Sequence, residues 1–149
     1  MQRGVSSSFC KRLEKDLEGL DWPEGTLAAQ KAWIGKSHGT KVQFQVEGMN
    51  QSVTVFTTRA DTLMGVTYVV LAPEHPLVRQ ISTPAQAHQV EEYLRHVATK
   101  SDMDRKMAET KTGVFTGAFA VHPLTGQKVP IWVADYVLSG YGTGAVMAV

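Results

Sequence analysis

An alternation of apolar and polar residues across positions 42–57 constrains the fold of this chain more than any other feature. The apolar positions are Val42, Phe44 and Val46 and, after a turn at Gly48-Met49-Asn50, Val53 and Val55, with Thr57 at the end. Because successive side chains of a strand point to opposite faces of a sheet, this period of two predicts a β-hairpin with one buried face. The fold therefore includes an antiparallel sheet that packs on one side.

Helical patterns lie on both sides of this hairpin. Apolar residues recur at helical spacing from Phe9 to Leu20, and Pro23 is suited to begin a second helix. Residues 84–107 form a third predicted helix, in which Thr83 is placed to cap and Pro84 suits the first turn. The apolar stripe of that helix is typical of packing against a core.

Further strands are predicted around the third helix. Residues 66–71 form one β-rich run, and residues 119–121 and 129–133 form two more around a turn at 124–127. The whole pattern predicts an α+β fold, with a mostly antiparallel β-sheet or small β-barrel core and peripheral helices. No shift in composition divides the chain, so we expect residues 1–149 to form a single domain.

Charge and cysteine content exclude several classes of protein. Lys and Arg number 15 against 14 Asp and Glu, so the net charge is +1, unlike that of proteins that bind nucleic acid by phosphate neutralisation alone. The single cysteine, Cys10, excludes an internal disulfide and a cysteine-rich zinc site. The longest apolar stretch, residues 66–72, is too short to span a bilayer. We expect a soluble protein, with no membrane partner, whose contact with any RNA is local.

Three threonines lie close together where the second strand of the hairpin ends. This threonine segment, residues 57–62, reads Thr57-Thr58-Arg59-Ala60-Asp61-Thr62. A turn after a strand exposes backbone amides, hydroxyls, a guanidinium and a carboxylate, as a site that holds an ester and a water molecule requires. Threonine is also a favoured strand residue, and Arg59 with Asp61 could form a plain surface pair. Composition alone leaves both interpretations open.

Residues 140–149 combine three alternate glycines with an apolar strand pattern. This glycine segment reads Gly140-Tyr141-Gly142-Thr143-Gly144-Ala145-Val146-Met147-Ala148-Val149. Its third glycine comes too early for a dinucleotide-binding fingerprint, and no Lys-Ser or Lys-Thr follows as in a phosphate-binding loop. Alternate glycines let a ligand or another backbone approach closely, or they mark a bulge or barrel corner.

The remaining residues give no metal or nucleophile pattern. The five histidines lack the spacing of metal ligands, and we expect no metal site. His75 and His122 each precede a proline and are interpreted as turn residues. No serine lies in a Gly-x-Ser-x-Gly elbow, and Cys10 falls in a predicted helix, so covalent catalysis is unsupported.

Four segments occur in one order along the chain. They are Trp33-Ile34-Gly35-Lys36-Ser37, the threonine segment, Leu71-Ala72-Pro73-Glu74-His75-Pro76-Leu77 and the glycine segment. Together they resemble the inserted editing domain of leucyl-tRNA synthetases, most closely the bacterial and organellar type, over nearly the whole chain. Asp61 and the continuation of the glycine segment favour the leucyl type over the related valyl and isoleucyl enzymes.

The resemblance implies post-transfer editing. This is hydrolysis of the ester that joins a wrong amino acid, such as isoleucine or norvaline, to the 3′-terminal adenosine of leucine tRNA. A synthetic pocket gains only about 1–3 kcal/mol per methylene and cannot reject such relatives of leucine by binding alone, so a second sieve is needed. The implied partners are the 3′ end of mischarged tRNA(Leu) and the remainder of the synthetase, in a monomer of the cytoplasm or an organellar matrix.

The same resemblance implies a role for each candidate residue. The catalytic pair is Thr57 and Thr58, which would orient the attacking water or stabilise the oxyanion, and Thr62 would block the side chain of leucine. The other assignments are Met147 and Val149 to the amino-acid pocket, Arg59 and Tyr141 to the 3′-terminal adenosine, and Asp61, Gly142 and Gly144 to support of the site.

Two departures from the family pattern affect these expectations. Ala60 stands where the family usually has proline, which frees one φ angle but should keep the turn. The sequence ends at Val149, before the family's aspartate that binds the α-amino group, so we expect the C-terminal part of the site to be missing.

The signatures of the synthetic site, His-Ile-Gly-His and Lys-Met-Ser-Lys-Ser, do not occur in the sequence. The resemblance therefore implies a domain excised from a larger synthetase, in which ATP and Mg²⁺ serve only the synthetic domain and editing uses no cofactor. Two alternatives stay open. One is a non-catalytic tRNA 3′-end-binding module with Arg59 as its best single contact, and the other is a small-ligand barrel unrelated to tRNA.

Overall fold

The chain divides into a short helical unit, residues 1–38, and a sheet unit, residues 39–149. The structure, a computed structural model, describes residues 7–34, 39–140 and 142–149. The first unit contains α1 (Ser7–Asp16) and α2 (Glu24–Ile34), which contact each other. As predicted, α2 begins directly after Pro23, whose carbonyl oxygen accepts hydrogen bonds from the next turn. The sequence pattern marks no boundary at residue 38, where we expected a continuous domain.

One six-stranded sheet forms the second unit. Its strands are β1 (Thr40–Val46), β2 (Ser52–Thr57), β3 (Tyr68–Leu71), β4 (Gly113–Val121), β5 (Lys128–Ala134) and β6 (Ala145–Ala148). They lie in the order β2-β1-β4-β5-β3-β6, and neighbours are antiparallel except for the parallel pair β3 and β5. The edge strands β2 and β6 approach each other, so the sheet curls. The predicted α+β fold with a mostly antiparallel sheet is confirmed.

The hairpin of β1 and β2 has the buried face that the alternation predicts. Phe44 pairs with Val53, and Val42 pairs with Val55; all four side chains are buried. The intervening Gln43 is exposed. Full burial of each apolar side chain stabilises the fold by about 1.5–3 kcal/mol, so this face holds β2, and the turn that follows it, against the rest of the sheet.

The main core lies on one face of the sheet and is covered by two helices. These are α3 (Val78–Ile81) and α4 (Pro84–Ala98), which place Val78, Val90 and Leu94 in the same cluster as the buried sheet residues. The four residues of α3 are too few for a helical period to be recognised in the sequence. On the opposite face, a smaller apolar cluster forms around Val70 and Ala134.

The prediction of one helix over residues 84–107 is wrong, because α4 ends at Ala98 and a separate helix, α5 (Asp102–Met107), follows. The Asp104 amide donates to the Ser101 hydroxyl at 3.1 Å, and the Ser101 amide donates to the Asp104 carboxylate at 3.1 Å. This capping box begins a new helix. Thr83 precedes α4 as predicted but makes no side-chain capping bond; its side chain lies against Gly117 instead.

Candidate functional site

The threonine segment begins with the last residue of β2 and continues into a 3₁₀ helix, Ala60–Gly65. The hydroxyl oxygen of Thr57 accepts a hydrogen bond from the Arg59 amide at 3.0 Å. The Arg59 carbonyl oxygen in turn accepts from the Thr62 amide at 3.2 Å and from the Thr62 hydroxyl at 2.9 Å. Threonine hydroxyls often stabilise turns in this way. The turn forms with alanine at position 60.

The three hydroxyls of this segment therefore differ in what they can still do. Thr57 accepts with a lone pair and keeps its proton for donation to another group, since a hydroxyl has one donor and two acceptor positions. Thr62 has its proton committed to the backbone and is fixed in place. Thr58 is exposed on the turn between them. The segment therefore has one fixed side chain, that of Thr62, and two hydroxyls, those of Thr57 and Thr58, that can donate to a polar ligand.

Arg59 and Asp61 form a bidentate ion pair on the same turn. Nη2 of Arg59 lies 2.8 Å from Oδ2 of Asp61, and Nε lies 3.0 Å from Oδ1. The side-chain hydrogen bond lowers the pKa of Asp61 and raises the pKa of Arg59, so both remain charged at neutral pH. The side chains are 64% and 70% exposed, and water screens their attraction. The pair orients the guanidinium more than it stabilises the fold.

The glycine segment forms a turn and then β6. Gly142 and Gly144 have φ angles of +59° and +68°, a left-handed conformation that glycine adopts without the usual side-chain clash. The nearest described atoms stand 3.5 Å or more from a Cβ built at either position. Backbone conformation, and not a close approach by the rest of the protein, therefore accounts for these glycines. Tyr141 lies outside the described residues.

The threonine and glycine segments lie side by side in the structure. A Cβ built on Gly65 would stand 2.8 Å from Cγ1 of Val149, and a Cβ on Gly142 would stand 3.7 Å from Cβ of Phe56. Val149 is exposed, whereas Met147 is half-buried and packs against the main core. Residues that flank the threonine segment, Phe56 and Gly65, thus meet the glycine segment where the edges of the curled sheet approach each other.

A buried histidine that the sequence analysis interpreted only as a turn residue contacts the 3₁₀ helix. His122 follows β4, is 3% exposed, and places its Nε2 2.8 Å from the carbonyl oxygen of Leu63. Leu63 is the residue after Thr62 in the chain. The His122 ring also packs edge-on against Phe44, with the ring centroids 6.0 Å apart. Its place before a proline indicated the turn but not this contact.

The segment that precedes the glycine segment is held by buried polar groups. The carboxylate of Asp135 accepts hydrogen bonds from the Thr112 amide at 3.1 Å and the Thr112 hydroxyl at 2.8 Å, and Lys100 lies 3.5 Å away. Arg105, also buried, donates to the carbonyl oxygens of Asp135 and Val137 at 2.7 and 2.8 Å. The sequence analysis missed this network because its members come from separate elements.

Burial and hydrogen bonding act on Asp135 in opposite directions. Burial on its own raises the pKa of this carboxyl, but the hydrogen bonds from Thr112 and the charge of Lys100 outweigh burial and hold the pKa below its usual value. At half-buried His75, burial lowers the pKa, and Nδ1 accepts a hydrogen bond from the Leu77 amide at 3.2 Å. Both groups serve the fold around the start of the glycine segment.

A cavity of about 360 Å³ opens on the face of the sheet opposite the main core. Its lining residues are Tyr68, Val70, Lys111, Thr112, Gly113, Trp132, Ala134 and Tyr136. None of these belongs to the threonine or glycine segment, so the candidate site is not this cavity.

Within residues 7–34, 39–140 and 142–149, no group of three or more His, Cys, Asp or Glu residues is placed to hold a metal ion. Over the same part of the chain, no helix has the length and apolar character needed to cross a membrane.

Comparison with solved structures identifies the class of domain, one that is found within an aminoacyl-tRNA synthetase. The chain is similar to the agnB2 LeuRS of Agrobacterium radiobacter K84, solved in a ternary complex with tRNA and LeuAMS, with a TM-score of 0.74 and 40% sequence identity. The match covers 95% of this chain and 17% of that one.

Comparison with sequences identifies the family. Residues 31–149 match the family model described as the editing domain of leucyl-tRNA synthetase, and the chain belongs to that family. It is 54% identical over 143 residues to the leucine–tRNA ligases of Elusimicrobium minutum (strain Pei191) and Bdellovibrio bacteriovorus (strain HD100). Each match covers 96% of this chain, which spans 17% and 18% of the length of these relatives. The resemblance stated from the four segments is confirmed.

Proposed function

We propose that the chain carries out post-transfer editing: it hydrolyses the ester of tRNA(Leu) that has been mischarged with isoleucine, norvaline or a similar amino acid. The observation that carries this proposal is the threonine segment held beside the glycine segment in a chain of the editing-domain family. Hydroxyls and a guanidinium at an open strand edge suit a substrate that is an ester at the end of a long RNA.

The proposed reaction is attack by water on the ester carbonyl. The bond between the carbonyl carbon and the 3′ oxygen breaks, that oxygen takes a proton, and the products are the free amino acid and tRNA. The Thr57 hydroxyl suits a catalytic role, because its oxygen accepts a hydrogen bond from the Arg59 amide and its proton can be donated to the oxyanion or to the water. Thr58 is the second catalytic residue, and the contribution of both is positional and electrostatic. The proposed reaction uses no metal or cofactor.

The proposed pocket assigns specificity to the other candidate residues. Thr62, fixed by its two bonds to the Arg59 carbonyl oxygen, excludes the branched side chain of leucine. Val149 and Met147 line the amino-acid side of the pocket. Arg59 and Tyr141 bind the 3′-terminal adenosine, while Asp61, Gly142 and Gly144 hold the shape of the site. ATP and Mg²⁺ serve the synthetic reaction, which the remainder of the synthetase carries out. That remainder is the partner of this domain within one monomeric enzyme, of the cytoplasm or an organellar matrix.

A deacylation assay tests the proposal. Isoleucyl-tRNA(Leu) is incubated with the chain, and with a version continued past Val149 by the sequence that follows in the Elusimicrobium minutum relative. We expect release of isoleucine, and a loss of about 100-fold in the rate when Thr57→Val removes the hydroxyl. Thr54→Val, on the same strand, is the matched control and should leave the rate unchanged.

The alternative of a non-catalytic tRNA 3′-end-binding module predicts another result. Such a module would bind tRNA(Leu) equally with and without an attached amino acid and would release none. If both versions of the chain behave in this way, the proposed hydrolysis is wrong.

A further inference from the structure

His122 links the turn between β4 and β5 to the 3₁₀ helix that contains Thr62. Its Nδ1 lies 3.2 Å from the Leu124 amide and 3.1 Å from the Thr125 amide, and its Nε2 lies 2.8 Å from the Leu63 carbonyl oxygen. Since amides donate and a carbonyl oxygen accepts, Nδ1 is the unprotonated nitrogen and Nε2 carries the proton. One neutral tautomer therefore satisfies all three contacts.

The imidazole has little freedom to move. It is 3% exposed, and its ring meets that of Phe44 edge-on, with an angle of 85° between the ring planes. Phe44 is fully buried in the centre of β1. The Nε2 proton is therefore fixed relative to the sheet, and it fixes the carbonyl oxygen of Leu63 with it.

Thr62 lies between two anchors. On its N-terminal side, the Arg59 carbonyl oxygen accepts from the Thr62 amide and hydroxyl. On its C-terminal side, the Leu63 carbonyl oxygen accepts from the Val66 amide at 3.2 Å and from His122. The contacts with Arg59 and Val66 lie within the turn itself, so they would move with it. The contact with His122 comes from a residue 59 positions away and ties the turn to the sheet.

We infer that His122 is a positioning residue for amino-acid specificity: through Leu63 it holds Thr62 at the depth in the pocket where it excludes leucine. This inference rests on the proposed function. His122 does not touch the substrate. When the bond to Leu63 is lost, the 3₁₀ helix moves more freely, Thr62 recedes, and the hydrolysis of correctly charged leucyl-tRNA rises.

Two variants each remove the hydrogen bonds of one ring nitrogen of His122 and keep those of the other. In His122→Asn, the side-chain oxygen takes the place of Nδ1 and accepts from the Leu124 and Thr125 amides, but the shorter side chain does not reach Leu63. In His122→Gln, the longer side chain carries an N–H to Leu63 but lacks the acceptor at the Nδ1 position. His88→Asn, at an exposed position of α4, is the matched control.

The experiment measures two quantities on the same proteins. One is the ratio of the hydrolysis rates of leucyl- and isoleucyl-tRNA(Leu), and the other is amide hydrogen exchange in residues 60–66. We expect His122→Asn to raise the ratio about three- to tenfold, the effect of one buried hydrogen bond, and to speed exchange in residues 60–66. His122→Gln should keep the wild-type ratio even if its unfolding midpoint falls, and His88→Asn should change neither quantity.

The outcomes separate this inference from the function on which it rests. If wild-type protein releases no amino acid from either tRNA, the proposed function and the specificity role fall together. If wild type is active and His122→Asn keeps both its ratio and its exchange rates, the role of His122 alone is wrong. A merely structural role predicts that discrimination follows stability, so a folded His122→Gln variant that loses discrimination would also overturn the inference.

Discussion

The guanidinium of Arg59 is held by the carboxylate of Asp61, with 2.8 Å between Nη2 and Oδ2. Both residues belong to the turn on which the proposed site is built, and both are exposed. Asp61 occupies the Nε and Nη2 side of the guanidinium, so a phosphate that binds Arg59 must use its remaining N–H groups, and the charge of the carboxylate repels that phosphate. The ion pair therefore limits how strongly Arg59 can attract the phosphates of a nucleic acid.

Substitution of Arg59 and substitution of Asp61 should change the affinity for tRNA in opposite directions. Arg59→Gln should weaken binding and reduce the slope of log affinity against log salt by about 1. Asp61→Asn should strengthen binding at low salt, since it frees the guanidinium. Salt titrations of tRNA(Leu) binding measure both effects. Equal slopes for wild type and Arg59→Gln would remove Arg59 from the RNA contact.

Asp135 should make the fold sensitive to acid. Its pKa in the folded state is lower than in the unfolded chain, so its stabilisation is complete above the unfolded value, about 3.9, and is lost as pH falls through the folded-state pKa. Asp135→Asn should cost about 2–3 kcal/mol at neutral pH and flatten the profile in acid, because hydrogen bonds to a charged group are lost.

Urea unfolding of wild type and Asp135→Asn, at a series of pH values below neutrality, measures this effect. Asp21→Asn, at an exposed position in the helical unit, is the control and should retain the wild-type profile. Parallel profiles for wild type and Asp135→Asn would show that Asp135 does not provide the acid sensitivity.

The left-handed glycines of the glycine segment should not tolerate a side chain. Gly142→Ala and Gly144→Ala should each lower the free energy of unfolding by about 1–2 kcal/mol, because L-residues are strained at these φ angles. Gly140→Ala should cost under about 0.5 kcal/mol, since its φ is not positive and the space around it is open. Thermal or urea unfolding measures all three, and an equal cost at Gly140 and Gly144 would argue against the conformational explanation.

Local patterns were sufficient to predict the hairpin but not the break in the long helix. The alternation from Val42 to Val55 matches the register of β1 and β2, because the polarity of each side chain decides which face of the hairpin is buried. The break after Ala98 depends on a capping box at Ser101, which competes with a continuous apolar stripe. The parallel pairing of β3 and β5 depends on a long crossover that no local period describes.

The candidate site divides in the same way. The threonine and glycine segments could be selected from the sequence by their resemblance to a family, whereas the contact of Gly65, which follows the threonine segment, with Val149 is a property of the folded sheet. His122 could not be selected, because its contact with Leu63 joins residues far apart in the chain and a histidine before a proline is common in turns.

The most direct test of the account is the rate at which Thr62→Ala releases leucine from correctly charged leucyl-tRNA(Leu), measured beside the release of isoleucine from isoleucyl-tRNA(Leu). If Thr62 excludes leucine, this variant should hydrolyse the leucyl ester at least about 10-fold faster than wild type, while isoleucyl hydrolysis changes little. A variant that still hydrolyses isoleucyl-tRNA and continues to spare leucyl-tRNA would contradict the account.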